Sequence, residues 1–355
     1  MKIEDLGYNK NLEKYRKQNN LDVFDIGRVI LEHKDRYVVK TTTTEFDAEL
    51  IGNLRFTAES RRDLPAVGDW VAISEYDKNK ALIHAVYPRH STIARQAVGK
   101  SAQIQIIATN VDFGLIVQSV NRDFNINRLE RYLTICNTSN VEPVIILSKI
   151  DLIEEHVLNK LLDELTERIK DVSIITISNP SNIGLDKITS ILDKGKTYCL
   201  LGSSGVGKST LLNKLSGKRL MDTGKISESI DRGKHVTAHR ELFVLDSGSI
   251  FIDNPGMREI GITDNSSGLD ITFDRIVELS QSCKFNNCTH TSETDCAIQD
   301  AVENGEIDSD SYTNFLKMEK ERAFFESSLE EKKKKDKNLG KLIKNMKKQR
   351  RQNKY

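Results

Sequence analysis

The chain has 355 residues, 38% hydrophobic and 30% charged, which supports packed cores and argues against wholesale disorder. No apolar run approaches the roughly 18–20 residues of a membrane-spanning helix, and residues 1–15 lack the apolar stretch of a secretory leader. The formal charge of +1 divides unevenly: residues 331–355 hold 12 Lys/Arg against 2 Asp/Glu, leaving 41 against 50 in residues 1–330.

In chain order, the first twenty residues are polar and lysine-rich, which predicts a frayed leader. From about Ile26 to Arg95 short β-like segments alternate with turns, for example 27–31, 36–40 and 70–73. This texture predicts a small barrel, with a β-meander appended to the next domain as the other arrangement. Continuous apolar runs follow at 111–117, 143–147, 173–177 and 197–201, with helical stretches at 127–136 and 154–170 between them. Such runs suit strands buried on both faces of a parallel sheet, so the pattern predicts an α/β doubly wound domain. Two further strands are expected near 241–245 and 249–253, then a helix over 271–282 and mostly helical, charged sequence. Tyr312, Phe315, Leu316, Ala323 and Phe324 are expected to form one apolar stripe that packs on the body. The expected division is 1–95, 96–270 and 271–355.

Gly202, Ser203, Ser204, Gly205, Val206, Gly207, Lys208 and Ser209 fit GxxxxGK[ST], between a strand and an apolar helical segment that starts at Thr210. Glycines let backbone N–H groups converge on phosphate oxygens, and the helix N-terminus adds favourable partial charge. Lys208 is expected on the β- and γ-phosphates and Ser209 on Mg²⁺. Upstream, Ser148, Lys149, Ile150 and Asp151 end an apolar strand as SKxD. A carboxylate there accepts from both N1–H and the 2-amino group of guanine, donors that adenine does not offer in that place. Downstream, residues 253–256 read DNPG, with Asp253 expected near the Mg²⁺ water shell and the Gly256 N–H near the γ-phosphate. Thr237, alone a plain surface threonine, becomes in this company a second hydroxyl ligand to Mg²⁺.

The P-loop ordinarily comes first in a GTPase and the guanine-reading motif near the end. Here 148–151 precedes 202–210, which precedes Thr237 and 253–256, so the domain reads as circularly permuted, which closely placed termini permit. With the barrel before it and a Cys/His cluster behind, the chain resembles the ribosome small-subunit-dependent GTPase family (RsgA, also called YjeQ or YloQ). Matching segments over roughly 25–320 include 67–71 (VGDWV), 127–133 (NRLERYL), the P-loop and 239–242 (HREL). The resemblance implies an OB-fold barrel, a permuted P-loop GTPase domain and a helical zinc-binding domain with a basic tail. It further implies a cytoplasmic GTP hydrolase in late maturation of the small (30S) ribosomal subunit, stimulated by that subunit, with nucleotide state controlling release. Two departures stand out. Ser148 replaces the commoner Asn or Thr, and the usual Ser-Ala motif reads Ser178-Asn179-Pro180, which keeps Ser178 as a match.

Met257 stands just past Gly256, where many GTPases use a Gln to orient water, so slow intrinsic turnover is expected. Family members carry a His before the Mg²⁺ threonine, and His235 fits that place as the water-positioning group, or else as a loop histidine facing phosphate or RNA. The catalytic set is thus His235, Lys208 and Thr237. Cys283, Cys288, His290 and Cys296 place three thiolates and one imidazole within fourteen residues, a set suited to one structural Zn²⁺. Cys136 and Cys199 are expected buried and inert, and the odd cysteine count argues for a reducing compartment. The basic tail reads as a solvated helix end or a contact for rRNA, without membrane attachment, and a monomer is expected. Two other functions fit a P-loop chain: a small-molecule kinase, and a nucleotide-regulated RNA-binding protein with negligible catalysis.

Overall fold

The computed structural model describes residues 1–33, 36–96, 104–121, 124–220, 240–253, 267–324 and 326–327. His235, Thr237, Gly256 and the basic tail lie outside these described residues.

The chain opens with a 3-10 turn (Ile3–Leu6) and helix α1 (Lys10–Gln18), whose first turn is capped by Asn9 Oδ1 accepting from the Asn11 and Leu12 amides. Leu6 and Leu12 are buried and Tyr8 meets Trp70 edge-on at 5.1 Å. The expected frayed leader is therefore corrected: Ile3, Leu6, Tyr8, Leu12 and Tyr15 gather on one face, around Trp70 and Tyr87. Charge alternation along the segment hid that face.

Strands β1 (Asp25–His33), β2 (Arg36–Lys40) and β3 (Glu45–Leu50), helix α2 (Gly52–Thr57), β4 (Trp70–Asp77) and β5 (Lys80–Val86) follow. Their order β1-β2-β3-β5-β4 closes through a β1–β4 pairing, giving a five-stranded barrel of OB type. In β3 Phe46 and Ala48 point inward while Glu45, Asp47 and Glu49 face solvent, so the alternation is clear once the barrel axis is known. A hairpin, β6 (Thr92–Gln96) with β7 (Ile104–Thr109), leads out of the barrel.

The α/β domain contains β8 (Phe113–Ser119), α3 (Ile126–Thr138), β9 (Glu142–Ser148), α4 (Glu155–Arg168), β10 (Ser173–Thr176), α5 (Leu185–Ser190), β11 (Thr197–Leu201), α6 (Lys208–Ser216), β12 (Glu241–Val244) and β13 (Ile250–Asp253). The order β10-β9-β8-β11-β13-β12 is parallel except for β12. Chain direction across the sheet reverses between β8 and β11, and such a switch point opens a crevice at the C-terminal strand ends. β12 also pairs with β1, joining barrel and α/β sheet into one continuous sheet.

Helices α7 (Ser267–Thr272), α8 (Asp274–Ser280) and α9 (Ala297–Glu303) and a helical stretch at 309–324 form the C-terminal unit. The single helix expected over 271–282 is broken at Phe273, which leaves helical backbone angles and buries its ring against Phe315. The expected stripe is corrected too: Phe315 and Met318 are buried, whereas Ala323 and Phe324 are exposed. A polar cluster docks this unit on the α/β domain. Buried Glu130 of α3 accepts from Arg168 (2.9 Å), Ser311 (3.0 Å) and Asn314 (2.7 Å), and Arg131 makes a two-pronged contact with Glu321 at 2.5 and 2.8 Å. Among the described residues no helix is long and apolar enough to cross a membrane.

Arg28 joins the N-terminal segment, barrel and α/β domain. Its guanidinium donates to the carbonyls of Gly68 (3.1 Å), Leu6 (2.7 Å) and Asn110 (3.1 Å), and lies over Trp70. Arg28→Met would take this donor from the Leu6 and Asn110 carbonyls and leave Gly68 O only its 3.1 Å bond from Asn110 Nδ2, so stability should fall by about 3–5 kcal/mol, seen as a lower urea midpoint. Limited proteolysis should then cut first within residues 10–24.

Candidate functional site: a phosphate loop and a Cys/His cluster

β11 is buried along its whole length and delivers the chain to the loop at the sheet's C-terminal edge. Gly202 has φ +138° and an added Cβ would lie 2.2 Å from the Val117 carbonyl, so glycine is required there. Gly205 and Gly207 also have positive φ, and Gly207 caps α6. Ser204 and Gly205 are exposed at the mouth of the loop, while Ser203, Ser209 and Thr210 are half-buried. Lys208 is buried, with Nζ donating to the Gly202 and Ser203 carbonyls at 2.7 Å each. Burial pulls its ammonium down to about 8, partly opposed by nearby Asp253. Asp253 is buried at the end of β13, the strand paired beside β11.

The SKxD segment reaches the same edge from β9. Ser148 is buried, and its hydroxyl donates to the Val206 carbonyl at 2.6 Å, tying this segment to the phosphate loop. Ser148, in place of the commoner Asn or Thr, thus still makes an ordering bond to the loop. Lys149 has φ +62°, a left-handed turn out of the strand, and Ile150 and Asp151 begin a 3-10 turn. Ser178 Oγ donates to Asp151 Oδ1 at 2.6 Å, which orients the carboxylate. Ser181 supports Ser178 in turn at 2.6 Å, a residue the sequence reading passed over because nothing in its neighbourhood marks it. Asn179 donates a long 3.4 Å bond to the Gly207 carbonyl, and its Oδ1 is buried without a partner among the described residues. The Tyr132 hydroxyl of α3 stands beside the Ser203 side chain, a neighbour with no sequence signal.

The described sites 148–151, 178, 202–210 and 253 therefore meet at one edge although they lie far apart in the chain. That arrangement offers backbone amides and a buried ammonium to a polyphosphate, and an oriented carboxylate to a base. Lys208 gives a pH test. Phosphate contact favours the charged ammonium and raises its pKa, so affinity for GDP should hold at neutral pH. It should weaken towards tenfold per pH unit as pH rises through the free-site value of about 8. Calorimetric titrations between pH 7 and 9 check this, and a flat profile would contradict it.

In the C-terminal unit, Cys283, Cys288, His290 and Cys296 bring four ligand atoms within 4.8 Å of one another, a set that can hold a metal ion. Cys283 Sγ lies 3.5 Å from His290 Nδ1 and 3.9 Å from Cys296 Sγ, and Cys296 Sγ lies 3.6 Å from Nδ1. Burial lowers the pKa of His290, which favours the neutral ring that a ligand needs. Glu293 organises the loop, accepting from Thr289 N (2.8 Å), Thr289 Oγ1 (2.6 Å), Thr291 N (3.0 Å) and Ser292 N (3.1 Å). These bonds hold its carboxyl below the usual range. Its spacing from Thr289 was the available signal. Tyr312 and Gln299 both donate to the His290 carbonyl, binding the cluster to α9 and the 309–324 helix. Cys136 and Cys199 are buried away from this cluster, and burial pushes the Cys136 thiol up to about 12.

Comparison with known proteins bears on this geometry. The RsgA GTPase family model matches residues 86–263. An ABC transporter model matches residues 185–351, a span that includes the phosphate loop, which P-loop proteins share generally. The chain is 43% identical over 303 residues, 84% of each chain, to small ribosomal subunit biogenesis GTPase RsgA 2 of Lactiplantibacillus plantarum. It is 34% identical over 344 residues, 96% of each chain, to small ribosomal subunit biogenesis GTPase RsgA 1 of Bacteroides thetaiotaomicron. The crystal structure of YjeQ from Thermotoga maritima superimposes with a TM-score of 0.59 at 25% identity, covering 86% of this chain and 98% of that one. YloQ, a circularly permuted GTPase, does so with a TM-score of 0.59 at 25% identity, covering 87% of this chain and 96% of that one. Barrel, permuted motif order and Cys/His cluster thus occur together in a chain that belongs to the RsgA GTPase family.

Proposed function

We propose that the chain is a GTP hydrolase acting in late maturation of the small ribosomal subunit, stimulated by that subunit and released according to nucleotide state. The observation that carries it is the 2.6 Å contact from Ser178 to Asp151 at the same sheet edge as the phosphate loop, since an oriented carboxylate there selects guanine. The relatives named as small ribosomal subunit biogenesis GTPases support the cellular role. In this reading Ser148, Lys149, Ile150, Asp151 and Ser178 form the base side. Residues 202–210, with Lys208, hold the phosphates. Ser209, Thr237 and Asp253 attend Mg²⁺, which when bound neutralises charge on the β- and γ-phosphates. Gly256 senses the γ-phosphate and His235 positions water. Residues 1–95, 96–270 and 271–355 are the working units, the tail contacts rRNA, and the protein works as a cytoplasmic monomer.

GTP and ATP hydrolysis, with and without purified small subunits, test the reading. Intrinsic GTP turnover should be about 10⁻⁴–10⁻² per second and rise with subunits. Absence of stimulation, or preference for ATP, would sink it.

The Cys/His cluster is assigned to zinc. Tetrahedral Zn²⁺ with Zn–S of about 2.3 Å and Zn–N of about 2.0–2.1 Å separates sulfurs by about 3.8 Å and sulfur from nitrogen by about 3.5 Å. The spacings of 3.9, 3.5 and 3.6 Å fit that geometry. Elemental analysis should return one zinc per chain, and Cys288→Ser should lose it and loosen residues 283–296 to proteolysis.

A further inference from the structure

Asn179 follows Ser178 at the sheet edge where the base and phosphate segments meet, and none of the assigned roles uses its side chain. The residue is 6% exposed. Pro180 behind it disfavours helical backbone at 179, and Lys214 Nζ donates to the Asn179 carbonyl, so the side chain springs from a fixed backbone. Its amide leans on the phosphate loop. Nδ2 lies 3.4 Å from the Gly207 carbonyl and would stand 3.1 Å from a Cβ built on Gly207. The reverse orientation would set Oδ1 against that carbonyl, acceptor facing acceptor, so Nδ2 is the end that meets the loop. A 3.4 Å bond is weak for an amide donor, and Oδ1 has no partner among the described residues. Burying an amide so poorly matched costs stability, which a ligand contact offsets. The neighbouring hydroxyls are already committed: Ser148 to the Val206 carbonyl, Ser178 to Asp151 and Ser181 to Ser178, each at 2.6 Å.

We propose that Asn179 Nδ2 donates to N7 of the guanine base, an inference that rests on the assignment of Asp151 to that base. Asp151 takes the N1–H and 2-amino donors, which leaves the acceptors O6 and N7 on the far edge of the ring. In the usual anti conformer, N7 is on the side of the base turned towards the 5′-phosphate. Nδ2 stands on that side, against Gly207 of the phosphate loop. An amide nitrogen carries two hydrogens, so one can stay on the Gly207 carbonyl while the other meets N7. Where an Asn stands at 148 its amide is available at this place. Here Ser148 gives its only hydrogen to the protein, and the amide comes from 179 instead. The contact adds affinity for the purine ring, while Asp151 supplies the choice of guanine.

Calorimetric titration of the full-length chain with GDP and with 7-deaza-GDP, which has a C–H in place of N7, tests the contact. One neutral hydrogen bond predicts that 7-deaza-GDP binds about threefold to tenfold more weakly. Asn179→Ala should weaken GDP binding by the same factor and bind the two nucleotides alike. Its ligand-free melting temperature should hold or rise, because the unpartnered Oδ1 leaves with the side chain. Equal binding of the two nucleotides by the unmodified chain would overturn the proposal. So would an Asn179→Ala chain that still discriminates between them, or one that melts lower with GDP affinity unchanged. Asp151→Asn scores the underlying base reading separately: preference should pass from GDP to xanthosine diphosphate, whose C2 carbonyl needs a donor. That switch, with discrimination persisting in Asn179→Ala, removes only the Asn179 contact. Discrimination lost in Asn179→Ala without that switch removes only the assignment of Asp151.

Discussion

The buried guanidinium of Arg28 is the interaction on which the arrangement of the molecule turns. It satisfies carbonyls of the N-terminal segment, the barrel's 68 loop and the strand-to-strand connection at Asn110, three places that no single secondary-structure element links. Burial lowers its pKa to about 10, still far above neutral pH, so the charge persists and is met by carbonyl dipoles and the Trp70 ring. A buried charge is tolerable only when its donors are met, which makes the geometry of all three segments interdependent. The continuous sheet through β12 and β1 extends the same joint along the backbone, and Lys194 adds an ion pair to Asp5 at 2.8 Å.

At the other end of the α/β domain a second polar cluster does comparable work with different chemistry. Glu130 is almost wholly buried, yet Arg168, Ser311 and Asn314 complete its hydrogen bonds. Desolvation offsets much of the attraction in such a cluster, so its main consequence is orientation rather than stability. Because Glu130 and Tyr132 share α3, the helix that receives the C-terminal unit also touches Ser203 of the phosphate loop. The Cys/His cluster, the 309–324 helix, α3 and the loop are thus consecutive neighbours.

Much of the candidate site was legible because phosphate binding constrains the backbone, and backbone constraints leave short local signatures. Gly202 must be glycine because Val117 O leaves no room for a Cβ, so the requirement is written as a residue type at a fixed spacing. The Cys/His cluster is local for a similar reason, since four ligands around one ion fit in a fourteen-residue loop. Supporting groups carry no such mark. Ser181 and Tyr132 act through single contacts that any serine or tyrosine in the right place would make. The expected frayed leader failed on the same ground: Leu6 and Leu12 are unremarkable residues until Trp70 is placed beside them.

By itself the sequence determined the kinds of element, the permuted order of the motifs, the ligand set of the Cys/His cluster and the split between an acidic body and a basic tail. All of these are expressed in residues close together or in strict periodicity. Only the tertiary structure decided that β1 and β4 close the barrel, that β12 bridges to β1, and that Arg28 and Glu130 occupy seams between units. Those outcomes depend on contacts between residues tens to hundreds of positions apart, whose partners are chosen by packing and register rather than by local propensity.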